Sequence, residues 1–325
     1  MTDSIDVNAK LLHALLTAHG PMAIETLGCA ATMNPTQVSA QLDALGAAGC
    51  EVAIDPARGV TLVRTDPRVW SDYLRDMLLG GRGRIIEVYG QTSSTQDAAR
   101  RIVRSMGARA QGAVVLADEQ TAGRGRLGRA WVAPRGTCAL MSMVHVPGAN
   151  HANVVERLFL AVSVAVSDAV IEVAPEADAR IKWPNDVVID SRKVAGIIIE
   201  TVRHHGDQTA IIGVGVNVSL QHNDLPADLR DTAASLAMSG CATDRLLVIR
   251  KLVDVIDKRI AQTDTRELLD TWRGRTADLS QRVTLRCNGA TTTGQVLDLD
   301  ARDGLILRTD AGQIVHLPAA TTTVV

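Results

Sequence analysis

The chain has 325 residues, enough for about two or three domains with a sizeable core, and its net charge of -2 argues against a generally basic nucleic-acid coat. Its five cysteines are odd in number, scattered and never spaced as C-x-x-C, which suggests neither a disulfide framework nor a zinc site and points to a reducing compartment. The start is acidic and polar where a signal peptide would be basic and then apolar, and the longest apolar run, 158–166, is too short to span a bilayer, so a cytoplasmic protein without a membrane partner is expected.

Residues 9–19 have helical apolar spacing and stop at Gly20-Pro21. Residues 23–32 lead through Met33-Asn34-Pro35 into a helix over 36–49, with Asn34 able to cap it and Pro35 at its first position. Two short strands, 51–55 and 60–64, follow around Pro56–Gly59. This is a winged helix-turn-helix pattern, so residues 1–66 are expected to form a DNA-binding domain, with Asn34, Thr36, Gln37 and Gln41 as candidate contacts. Charge opposes that role. Through residue 65, Lys10, Arg58 and Arg64 stand against six carboxylates, and the reading helix has no Arg or Lys. A dimerisation or regulatory module is the rival reading.

Residues 68–78 form a connecting helix ending at Gly80-Gly81. Residues 67–275 then alternate strands (84–89, 113–118, 138–146) with helices (96–106, capped by Ser94 or Thr95, and 152–172). Four strand-like runs, 180–183, 186–190, 194–202 and 210–218, precede helices over 245–260 and 265–273. The expected class is α+β, a mixed sheet packed by helices on one side. Residues 276–325 break into short strands at Cys287-Asn288-Gly289, Arg302-Asp303-Gly304 and Asp310-Ala311-Gly312, the pattern of a small SH3-like β-barrel.

Two stretches carry chemistry. GRGRLGRAW, 123–131, has the glycine spacing of a dinucleotide-binding turn, but no helix opens there and no Asp or Glu occurs from Thr121 to Val155 to hold a ribose. No Gly-Lys-Ser/Thr follows, so it is not a Walker loop either. What remains is a loop with Arg124, Arg126 and Arg129, whose glycines let backbone N–H groups approach an anion; a solvated basic turn is the alternative. The second stretch, 181–200, reads as the turn Trp183-Pro184-Asn185-Asp186 and a hairpin with Ser191-Arg192 at its tip and Lys193 opening the next strand. Only five of the 34 basic residues are lysine, and Lys182 and Lys193 are two of them. A lysine in an arginine-rich chain supplies a compact mobile charge, though chance clustering explains the pair as well.

GRGRLGRAW followed by KWPND and RKVAGIIIE resembles the paired signature of biotin protein ligases, and the winged helix before and small β domain behind resemble the bifunctional members that repress biotin synthesis. The resemblance covers essentially the whole chain. It implies that ATP and biotin give biotinyl-5'-AMP and pyrophosphate, and that biotin then passes to a lysine of the biotin carboxyl carrier domain of acetyl-CoA carboxylase. It also implies biotin operator DNA as a partner, a homodimer when the adenylate is bound, and Mg²⁺ from the ATP chemistry.

Residue by residue, Ser94, Thr95, Gln96, Gln120, Arg124, Gly125, Arg126 and Lys193 match biotin-gripping positions, Lys193 and Arg126 being the catalytic candidates. Arg126, Arg129, Trp131, Asn185 and Asn217 match positions near the nucleotide, and Asp186 is a candidate metal contact. On the residues alone, Ser94 or Thr95 could simply cap a helix, Gln120 could solvate a loop and Trp131 could be core. Leu127 departs from the pattern where many relatives carry another basic residue, and the reading helix lacks the basic set of repressor members. A lipoate or octanoate ligase and a ligand-sensing winged-helix regulator without catalysis are the other readings.

Overall fold

Side-chain oxygens of Asn8, Asn34, Ser94, Asp244 and Asp264 each accept from the first turn of a helix, so local chemistry sets these helix starts. The computed structural model describes residues 7–147, 154–204 and 207–324. Its first elements are α1 (Ala9–Thr17), α2 (Ile24–Ala31) and α3 (Pro35–Ala47), then an antiparallel hairpin of β1 (Glu51–Asp55) and β2 (Gly59–Arg64). Leu11, Leu12, Leu27, Val38 and Leu45 are fully buried between the helices. The expected order of helices and hairpin is present, with Pro35 opening α3.

The proposed DNA contacts are largely engaged within the unit. Asn34 and Gln37 exchange side chain-to-backbone bonds at 2.9 Å in a capping box, and Gln41 Oε1 accepts from Asn8 N at 2.6 Å, tying α3 to α1. Thr36 is exposed on the first turn.

A short turn and α4 (Trp70–Met77) lead into the central unit: β3 (Ile86–Tyr89), α5 (Thr95–Met106), β4 (Val114–Ala117), β5 (Cys138–His145) and α6 (Val154–Val173). Then come β6 (Ala179–Lys182), β7 (Asp186–Ile189), β8 (Arg192–His204), β9 (Asp207–Asn217), α7 (Arg245–Ala261) and α8 (Thr265–Arg275). Residues 152 and 153 of the expected helix 152–172 lie outside the described residues. The seven strands run in the order β3-β4-β5-β9-β8-β7-β6, and only β3 and β4, joined through α5, are parallel.

Helices cover both faces of this sheet, which corrects the expectation of one. The strands are apolar at both parities: Val114, Leu116, Met141, Met143 and Ile212 pack in the core with α6 and α7, whereas Val115, Val144 and Ile211 pack with Ala98, Ala99 and Ile102 of α5. A strand buried on both sides needs a cover on both sides. α5 covers only part of its face, and the remainder carries the cavity described below.

The chain closes with β10 (Arg282–Cys287), β11 (Ala290–Asp300), β12 (Gly304–Thr309), β13 (Ile314–Leu317) and β14 (Thr322–Val324), an antiparallel sheet in the order β13-β12-β11-β10-β14. Asn288 and Gly289, at φ 49° and 85°, make the tight turn between β10 and β11. The sheet is pinned to the central unit by Arg273 on Asp298 (2.9 and 2.8 Å) and by Glu156, which accepts from Ala319 N (2.9 Å) and Ala320 N (3.2 Å). No helix among the described residues is long and apolar enough to cross a membrane.

Candidate active site

Three strand glycines make the floor. Gly196 on β8 pairs with Gly215 on β9, and Gly213 lies two residues earlier on the same face. The Trp131 indole crosses Gly215 and Gly196: a Cβ at Gly215 would sit 2.7 Å from its ring, and one at Gly196 would sit 2.8 Å from it. Only hydrogen fits there. Above this floor is a cavity of about 440 Å³, which Ser94, Thr95, Gln96, Gln120, Arg124, Gly125, Arg126, Arg129, Trp131, Asn185, Asp186, Lys193 and Asn217 all line. The structure thus gathers every candidate of the central unit at one place, although they span residues 94 to 217.

One end of the cavity is neutral and polar. Ser94 caps α5, which brings Thr95 and Gln96 to the sheet. Gln120 Oε1 accepts from Thr95 N (2.7 Å) and Thr95 Oγ1 (3.1 Å), and Ser142 Oγ donates to Thr95 Oγ1 (2.8 Å). Those bonds fix the Gln120 amide with its nitrogen free to donate. Gln96 Nε2 donates to Ile211 O at 3.3 Å, while its Oε1 is buried with no protein partner. A buried acceptor with no partner costs free energy that a ligand N–H recovers. Gln96 and Gln120 together suit a group with both N–H donors and a carbonyl.

The other end is charged. Lys193 Nζ lies 2.7 Å from Asp186 Oδ1 and 5.3 Å from the Trp131 ring centroid. It sits at the start of β8 because Asp190 and Ser191, at φ 49° and 63°, turn the hairpin; the expected Ser191-Arg192 tip is one residue late, since Arg192 already pairs with Ile189. Asn185 closes the WPND turn against β8: its Nδ2 donates to Ile197 O (3.0 Å) and its backbone carbonyl accepts from Ile197 N (2.8 Å). Asn217 Nδ2 donates to Ala234 O at 2.8 Å, holding the segment after β9 beside Lys193.

The arginine loop is a small hairpin, closed by Gly125 N on Arg129 O (2.7 Å) and Trp131 N on Gly123 O (3.0 Å). Leu127, the residue that departs from the family pattern, is exposed at the tip with φ 55°, an unfavourable region for a leucine. Arg124 grips Asp97 with two bonds of 2.7 and 2.9 Å, which holds the Asp97 carboxyl below the usual carboxylate range. Arg126 reaches the last sheet, donating to Ala319 O and Thr322 O and to Asn185 Oδ1 (3.3 Å), with its guanidinium over the Phe159 ring; burial lowers its pKa. Arg129 contacts Thr323 Oγ1 at 3.4 Å.

Sequence reasoning missed Asp97 and the glycine floor. The glycines did carry a signal, because Gly213-x-Gly215 in a strand places two bare positions on one face. Among the described residues no group of three or more His, Cys, Asp or Glu could hold a metal ion, and Asp186 is paired with Lys193.

Residues 88–217 match the model of the biotin/lipoate A/B protein ligase family. The bifunctional ligase/repressor BirA of Bacillus subtilis is 30% identical over 305 residues, 90% of each chain. A biotin–acetyl-CoA-carboxylase ligase of Mycobacterium tuberculosis is 34% identical over 264 residues, 75% of this chain and 94% of that protein. Among solved structures, a biotin protein ligase from Aquifex aeolicus in complex with biotin and ATP aligns with a TM-score of 0.63 at 25% identity, covering 74% of this chain and 98% of that one. Similarity along nearly the full length of such proteins, over a mixed α/β centre and a C-terminal sheet, places the chain in the biotin protein ligase family.

Proposed function

We propose that the chain activates biotin with ATP and transfers it to a lysine of a biotin carboxyl carrier domain. The observation that carries this reading is the two-ended cavity: a neutral end at Gln96 and Gln120 that suits a cyclic urea, and a cationic end at Lys193, where Arg126 bonds Asn185, that suits a phosphate. A biotin carboxylate oxygen attacks the α-phosphorus, the bond to pyrophosphate breaks, and biotinyl-5'-AMP forms. The carrier lysine, as a neutral amine, then attacks the acyl carbon; the C–O bond to AMP breaks and the amine proton leaves to solvent. Lys193 stabilises charge on the phosphoryl oxygens as it builds, and Trp131 covers the acyl-phosphate.

Mg²⁺ enters with ATP, since it keeps mostly phosphate and water oxygens and needs one or two carboxylates at most. Asp186 is the residue that would meet it, and the ion would neutralise charge on the ATP phosphates. Exchange of labelled pyrophosphate into ATP tests the reading. Dependence on biotin supports it; dependence on lipoate or octanoate makes the chain an acyl ligase of the other branch, and no exchange leaves a ligand sensor.

Arg126→Gly is expected to speed escape of biotinyl-AMP about tenfold, because that side chain ties the loop tip to Asn185 and to the last sheet. A trap for released adenylate measures it, and an unchanged release rate removes Arg126 from loop closure.

The same reading divides the chain at 1–66, 67–275 and 276–325, with the first unit a winged helix that binds operator DNA as part of an adenylate-filled cytoplasmic homodimer, and the last an SH3-like barrel. Support for DNA binding is the bifunctional relative, which is similar over 90% of this chain, and the helix-helix-hairpin order. Lys10, Arg58 and Arg64 are the cations available up to residue 65. Three phosphate contacts limit the slope of log K against log salt to about -2.7 per protomer. Titration of a biotin-promoter fragment across a salt series is therefore expected to give about -5 or shallower for a dimer, and a steeper slope would place the contacts on another surface.

A further inference from the structure

Asp118 and Arg245 form a buried ion pair that the chemistry above does not use. Asp118, next after β4, is 5% exposed and Arg245, first in α7, is 4% exposed; they meet at 2.7 Å, and neither lines the cavity. Burying two charges is costly unless both are well partnered, so such a pair marks a place where geometry is being held. Arg245 packs its guanidinium 4.9 Å from the Trp70 ring centroid. The second carboxylate oxygen of Asp118 accepts from Arg135 Nε at 2.8 Å, and its backbone carbonyl accepts from Gly136 N at 3.4 Å.

Residues 118 and 135 are the two feet of the arginine loop. The outgoing leg is stitched to the chain before α5, through Thr121 N on Thr92 O and Ala122 N on Ser93 O, both 2.9 Å. Between Trp131 and Thr137 the returning leg is tied to the opposite foot through Arg135 and Gly136, both on Asp118. That leg sets where Trp131 leaves the loop and lies over the glycine floor. We propose that Asp118 is a positioning residue: fixed by Arg245, it clamps Arg135 and so holds the loop, with Trp131, over the ligand. The role in catalysis rests on the ligase reading; the clamp itself does not.

The test uses the full chain and Arg135→Ala, because Arg135 is exposed and its loss leaves the Asp118–Arg245 pair intact. Two readouts are taken. In the free protein, acrylamide quenching reports Trp131, since Trp70, Trp183 and Trp272 are buried. The quenching constant is expected to rise at least about 1.5-fold in Arg135→Ala and to return toward wild type in Arg135→Lys. In pyrophosphate exchange, KM for biotin and ATP is expected to rise about fivefold or more while kcat changes less than about threefold. Asp118→Asn is expected to show the same KM shift together with a lower Tm. Wild-type quenching and KM in Arg135→Ala would overturn the clamp. Absence of biotin-dependent exchange in the wild type, with quenching still altered in the variant, would leave the clamp standing and remove the ligase reading.

Discussion

Lys193→Ala is expected to slow biotin-dependent pyrophosphate exchange by about 10²–10³-fold, the usual loss when one preorganised donor is removed from a developing oxyanion. The Lys193 ammonium lines the cavity between the Asp186 carboxylate and the Trp131 face, where field lines are less screened than in water. Stability is expected to change little. The pair is about a third exposed on the lysine side, and such pairs contribute roughly 0–1 kcal/mol, so Tm should stay within about 4 °C. Near-normal exchange in Lys193→Ala would take the lysine out of the reaction.

How far the molecule was legible in its sequence depends on the range of each interaction. Helix starts at Asn34-Pro35 and at Ser94 or Thr95 were readable because a capping side chain and the backbone N–H that donates to it lie within three residues. The double cover of the sheet was not, because Val114 and Val115 look alike as an apolar run, and which faces α5 and which faces α7 is decided by packing. Lys193 and Asn185 stood out through their motif. The partner of Arg124 did not, since Asp97 is 27 residues away and reaches it only through the register of α5. The bond from Arg126 to the carbonyl of Thr322 crosses 196 positions and leaves no local trace at either end. Of the DNA candidates, Gln41 accepts from Asn8 across 33 positions, a contact with no local trace, whereas the Asn34–Gln37 box lies within one helical turn.

The glycine floor gives the second large effect, and it separates the two ends of the cavity. In Gly215→Ala the new methyl would lie 2.7 Å from the Trp131 ring, closer than carbon atoms tolerate, so the indole must lift and carry the loop with it. In Gly213→Ala the methyl meets Ile198 Cγ2 at 2.6 Å and Gln96 Cδ at 3.1 Å, which displaces the neutral end and leaves Trp131 in place. Neither glycine has a positive φ, so alanine strains no backbone and the sheet should fold in both variants. Gly215→Ala is therefore expected to raise KM for ATP at least about 30-fold with a smaller change for biotin, and Gly213→Ala to do the reverse. The argument rests on steric exclusion, so the serine variants should behave as the alanine ones do. Equal effects of both substitutions on both substrates would mean that the ligand does not lie along β9 from Gln96 toward Trp131, and the assignment of the two ends would have to be abandoned.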